Sequence, residues 1–147
     1  MKNAPNNTLG QLGLAVLRVV VGIVAAMHGW QKIGQNTIAG TTKGFAQMGI
    51  PAADIIAPIV AYLELFGGIA LIIGLLTRPV ALLLTIVMAG ALFLVHLPAG
   101  FYAANGGYEL VLMIGAAALA LALTGPGRIS IDRAFFGRRR SKASALA

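Results

Sequence analysis

The chain contains no cysteine. That excludes disulfide staples, thiolate catalysis, thiolate zinc sites and iron–sulfur clusters built from its own side chains. Redox chemistry would therefore need a bound cofactor or a partner subunit. Charge is scarce as well: charged residues make up 10% of the 147, against about 25% in an ordinary soluble domain. Only four residues are acidic, against eleven Lys and Arg. Serine is confined to Ser130, Ser141 and Ser144, so no Ser/His/Asp hydrolase arrangement exists. No glycine-rich loop of the phosphate-cradling kind is present, and Gly106-Gly107 reads as a turn.

Apolar residues are what the chain has in abundance. They make up 59% of it, and mean hydropathy is +0.88. A soluble fold of this composition would expose large apolar patches and aggregate. The composition predicts a single all-α membrane domain over residues 1–133, followed by a basic tail at 134–147.

Four hydrophobic stretches stand out, and crossing a bilayer core of ~30 Å takes roughly 20 helical residues. The expected helices run about 9–30, 51–76, 79–97 and 105–124, an integral membrane four-helix bundle. The fourth is long enough only if it starts near Ala103 or Asn105, which would draw Tyr108 and Glu109 into the membrane. The first is longer than a signal-peptide core, carries Arg18 and ends in His28-Gly29-Trp30, so it reads as a retained span. Pro51 and Pro79 suit the first turns of helices two and three. Phe45 and Met48 share one side of a short interfacial helix expected at 42–48.

Six of the eleven basic residues follow Gly127: Arg128, Arg133, Arg138, Arg139, Arg140 and Lys142. Without a folded basic domain or interleaved aromatic platform they point to topology and anionic lipid rather than nucleic acid. Lys2 and Arg78 fall on the same side, whereas the other side carries only Lys32 and Lys43. The positive-inside rule places both termini in the cytoplasm.

Charged residues inside apolar segments are costly and mark function or a pairing partner. Arg18 interrupts the first span and Glu64 the second, at similar counted depth, so the sequence predicts a buried Arg18–Glu64 ion pair. That pair either locks two helices or also lines a cavity. At the outer end, His28, Lys32, His96 and Glu109 are expected to cluster as a ligand-binding or proton-relay site. The stripes Thr85, Ala89, Leu92, His96 and Glu109, Met113, Ala116, Ala120 are expected to face inward. Gly67 and Gly68, near Glu64, suit either close helix approach or a flat ligand. Each histidine lacks a ligand partner at helical spacing, which disfavours haem or metal.

Several ordered pieces resemble the DoxX family of small four-helix bacterial membrane proteins. They are Arg18 running into His28-Gly29-x-x-Lys32, then Gly44-Phe45-x-x-Met48-Gly49-Ile50-Pro51, Glu64-x-x-Gly67-Gly68, and Gly74-Leu75-x-Thr77-Arg78. Tyr108-Glu109 and Gly125-Pro126-Gly127-Arg128-x-Ser130-x-Asp132 complete the set. The resemblance implies a multi-pass inner-membrane protein of a redox-associated group that includes a subunit of thiosulfate:quinone oxidoreductase. The chain has no sulfur-handling domain, so thiosulfate chemistry by this chain alone is not implied. The matching polar positions are Arg18, His28, Lys32, Glu64 and Glu109.

Two functions follow as expectations. The first is a quinone-reactive subunit that binds a quinone or similar ligand in the outer half, with electrons from a partner redox enzyme. The alternative is a non-enzymatic anchor or assembly factor that recruits such an enzyme, with the basic tail and its Phe135-Phe136 pair as the docking point. A transporter is disfavoured by the lack of internal repeats or broken helices.

Overall fold

The computed structural model describes residues 8–135. Lys2, Phe136 and the tail residues Arg138, Arg139, Arg140 and Lys142 lie outside the described residues. Within them the chain is helical, with no strand. Helix α1 spans Thr8–Trp30 and continues through a π turn at Gln31–Gln35; α2 spans Thr37–Gln47 and α3 Ala53–Ile73. Helix α4 covers Thr77–Ala91 and runs into a second π turn at Leu92–His96; α5 covers Glu109–Thr124. Helices α1, α3 and α4, with the turns that extend them, are long and apolar enough to cross a membrane, and α5 is a shorter apolar helix.

The bundle is built from two tight pairs, α1 with α3 and α4 with α5, which meet each other less closely. Small residues explain the first pair. A Cβ added at Gly29 would lie 2.2 Å from the Leu65 backbone nitrogen, and one at Gly68 would lie 2.4 Å from that of Ala26. Lipid tails are as apolar as leucine, so helices associate here by close backbone packing rather than by escape from water. Gly68 thus serves helix approach, while Gly67 packs against Val80 of α4. Between the pairs lies a core of Val21, Ala25, Leu71, Ala81, Leu84, Ala118 and Leu121.

Helix α3 ends in a Schellman turn. Gly74 takes φ +74°, Leu75 N–H donates to Ala70 O (2.8 Å) and Gly74 N–H to Leu71 O (3.1 Å). Glycine suits this left-handed position because it has no Cβ. The interfacial helix expected at 42–48 is longer, beginning at Thr37, and packs on α3 and the first π turn.

The fourth span departs from expectation. Helix α5 starts at Glu109, not near Asn105, because residues 97–108 form a compact loop instead of helix. Two 3-10 turns, Leu97–Ala99 and Ala103–Asn105, are tied by Tyr108 N–H to Gly100 O (3.0 Å) and Gly107 N–H to Tyr102 O (2.9 Å). The inward stripe expected on α5 is also wrong. Met113 is 71% exposed and Ala116 is exposed, while Ala118 and Leu121 are buried, so the helix is rotated relative to the Glu109 face. Ala89 on α4 is likewise exposed, and the buried face of α4 is Thr77, Ala81 and Leu84.

Candidate functional site at the Lys32 end

Register decides which polar residues meet. Gly22 faces Gly68 and Ile72, and Gly29 faces Ala61 and Leu65, so α1 and α3 run antiparallel in a fixed alignment. Lys32, one turn beyond Gly29, therefore reaches Glu64. Its Nζ donates to Glu64 Oε2 at 2.5 Å, the one ion pair among the described residues. The carboxylate side chain is 4% exposed and the lysine 18%. A buried carboxylate in a membrane bundle is tolerable only when paired.

The π turn shapes this contact. Asn36 N–H donates to Gln31 O (2.9 Å) instead of to the Lys32 carbonyl, which instead accepts the hydroxyl of Thr41 (2.8 Å). Thr41 is the buried residue of α2. π turns of this kind recur at functional sites. Both π turns among the described residues close a helix with a cationic or titratable residue, Lys32 in one and His96 in the other.

The expected Arg18–Glu64 ion pair does not form. Arg18 lies beside Gly74, and Glu64 is ten residues further up α3, about 15 Å away along the helix axis. Equal counted depth misleads because α1 begins well beyond the end of α3: Arg18 is already level with Gly74, and the residues before it extend past that end. Arg18 is instead clamped to the segment that leaves α5: its guanidinium donates to Pro126 O (2.6 Å) and Ile129 O (2.7 Å). Asp132 supplies the nearby negative charge. That carboxylate also accepts the N–H groups of Leu76 (2.7 Å) and Thr77 (2.8 Å), and so caps α4 from another segment. Asp132 N–H closes the loop by donating to Gly74 O (2.9 Å).

The outer cluster separates into parts. His28 is exposed at the edge of the packed stripe of α1 and makes no side-chain hydrogen bond among the described residues. The buried stripe passes through Ala25 and Gly29 and leaves His28 outside it. His96 and Glu109 both serve the loop between α4 and α5. His96 Nδ1–H donates to Gly106 O (2.7 Å), and Glu109 Oε1 accepts the Ala103 N–H (2.8 Å). No hydrogen bond or ion pair links either to Lys32 or Glu64. The structure thus joins Lys32 to Glu64 and gathers His96 and Glu109 on one loop, without merging the two.

Two residues that matter were not singled out from the sequence. Asp132 had a signal, as the last member of the exit motif beginning at Gly125. Thr41 had none, because its role depends on a backbone carbonyl freed by a π turn. Among the described residues no three His, Cys, Asp or Glu side chains group so as to hold a metal ion.

Comparison with known proteins agrees with this architecture. No solved structure matches the chain significantly. A Bacillus subtilis protein named "Putative oxidoreductase CatD" is 32% identical, covering 92% of this chain and 96% of its own length. The Escherichia coli "Inner membrane protein YqjF" is 37% identical over 85% of this chain and 93% of its own length. A Mycobacterium tuberculosis membrane protein, Rv3486, is 33% identical over 84% of this chain and 82% of its own length. The DoxX family profile matches residues 13–97, which take in Arg18, the α1–α3 crossing, both π turns and the Lys32–Glu64 pair. With its apolar helices and these relatives, the chain is a multi-pass membrane protein that belongs to the DoxX family.

Proposed function

We propose that the chain is the ligand-binding membrane subunit of an inner-membrane redox system, taking a quinone or a similar hydrophobic redox ligand at the Lys32 end. The observation that carries this reading is the Lys32–Glu64 pair: two groups able to hold and pass a proton, at the end of a span, with the lysine head partly accessible. With both termini in the cytoplasm, as the basic residues indicate, this end lies in the outer half of the membrane.

The donor set suits a carbonyl headgroup. The ammonium of Lys32 has three donors, of which Glu64 Oε2 takes one. A second donor can therefore be offered to a ligand carbonyl while the ion pair stays closed. Glu64 can receive or return a proton through the same hydrogen bond. A bound quinone would supply a two-electron, two-proton acceptor, with the electrons drawn from a partner subunit. The name of the Bacillus subtilis relative is consistent with that redox setting.

A second reading, an anchor for a redox enzyme, draws on the clamp at the other end. Arg18 and Asp132 tie residues 126–132 to α1, to the start of α4 and to the Gly74 end of α3, so the basic tail follows a fixed segment. Quinone titration of the detergent-purified protein, followed through its single tryptophan, separates the two. Trp30 lies two residues from Lys32 and packs against Gly34 of the π turn. Saturable quenching that disappears in Glu64→Gln, with helicity intact, supports the ligand site. Identical, non-saturable quenching in both proteins reflects partition into micelles and transfers the assignment to the anchor.

A further inference from the structure

Helix α2 is joined to the bundle in an unusual way. Its first residue, Thr37, and the residue that follows its exit turn, Ala52, both take positive φ, at 61° and 48°. Gly49 between them does so at 77°. A β-branched threonine rarely adopts the left-handed region, and such residues persist only where the surroundings hold them. Local preference therefore does not keep α2 where it is. Its docking does.

The docking is specific. Thr41 is buried, and its hydroxyl donates to the carbonyl of Lys32, whose usual helical donor, the Asn36 N–H, is turned to Gln31 O by the π turn. The bond therefore ends on the same residue whose ammonium meets Glu64. Helix α2 packs against the two elements that bear the pair, the π turn and α3.

We propose that Thr41 is the positioning residue of the Lys32–Glu64 pair: by holding the Lys32 carbonyl it fixes the π turn, aims the ammonium at Glu64, and keeps α2 seated as a cover over both. The cover opens and closes by making and breaking one hydroxyl–carbonyl bond, with strain at Thr37 and Ala52 favouring release. This rests on the proposed ligand site only for what enters when the cover lifts. The closure itself is measurable without any ligand.

The test uses the full chain in detergent, treated briefly with a water-soluble N-hydroxysuccinimide acetate ester. Acylation is read at Lys32 and Lys43 by mass spectrometry. Lys43 is exposed on α2 and serves as an internal reference in the same sample. In the native protein Lys32 reacts more slowly than Lys43. Thr41→Val keeps the shape, removes the donor, and raises the Lys32:Lys43 ratio about 3–10-fold. Thr41→Ser restores the donor and returns the ratio to within about twofold of the native value.

An unchanged ratio in Thr41→Val overturns the proposal, as does a serine variant that behaves like valine or a native Lys32 that reacts as fast as Lys43. If circular dichroism shows that Thr41→Val does not fold, Thr41→Ala removes the same donor and is read by the same ratios. The quinone titration can fail while these ratios hold, and the reverse, so the two ideas fall separately.

Discussion

Two cations, Arg18 on α1 and Lys32 in the π turn that extends it, lie 14 residues apart, and they are held by opposite means. Arg18 gives its hydrogen bonds to backbone carbonyls, while Lys32 gives its bond to a carboxylate side chain. Carbonyls of a packed segment neither titrate nor move independently. A guanidinium, charged at any physiological pH and presenting a rigid fork, suits such a fixed role. A lysine facing a glutamate is an exchangeable arrangement, since either side chain can turn to a different partner. One buried charge is thus a structural bolt, and the other is a point where chemistry can occur.

The comparison can be broken most forcefully at Arg18. Arg18→Leu strands the carbonyls of Pro126 and Ile129 and leaves Asp132 without its neighbouring cation. We expect a loss of about 3–5 kcal/mol in stability, seen as a large fall in the denaturation midpoint in detergent. Any remaining folded protein should keep a slowly acylated Lys32, because the two sites are separated by ~21 Å of helix.

Lys32→Met comes next, at about 2–3 kcal/mol, because it leaves a buried carboxylate alone. Unlike Arg18, this site should be repairable. Lys32→Met combined with Glu64→Leu is expected to return to within ~1 kcal/mol of the native protein while quinone quenching is lost. Failure of the double variant to recover would make the pair a bolt like Arg18, and the contrast would collapse.

Asp132→Asn sharpens the other side. The amide keeps one acceptor for the Leu76 and Thr77 N–H groups and places a donor against the second, costing about 1–2 kcal/mol. Unfolding would show it, with ligand binding unaltered. The smallest effect should come from Ala52→Gly, which relieves a left-handed alanine. It should raise the thermal midpoint by about 1–3 °C.

Much of this architecture was legible in the chain. The apolar runs marked the spans, because hydrocarbon must be matched by apolar length. The isolated Arg18, Glu64 and Glu109 marked where polar contacts had to form, because charge in such segments needs a partner. Which partner was not legible. Depth counted from the ends of a hydrophobic run assumes that each helix starts at the same plane, and α1 does not. The true alignment is set by Gly22, Gly29 and Gly68, where backbones touch. Those glycines were visible, but their pairing across two helices was not. His28 shows a related limit: at the edge of a helical stripe, one residue of rotation separates interior from lipid. Glu109 shows another, since its carboxylate went to a loop N–H that no periodic pattern announces.

The unequal helices leave a mark on the surrounding lipid. With its π turn, α1 extends over 28 residues, some 42 Å at 1.5 Å per residue. Helix α5 has 16, some 24 Å, shorter than the ~30 Å hydrocarbon core. On the α5 flank the acyl chains must shorten or headgroups must sink to meet its ends, while around α1 the excess length is taken up by tilt or overhang. The apolar length offered by α5 is therefore shorter than that offered by α1 or α4, and a bilayer of uniform thickness does not match all three equally. Neighbouring molecules of similar asymmetry would lower the cost of that misfit by sharing the thinned lipid along their short flanks.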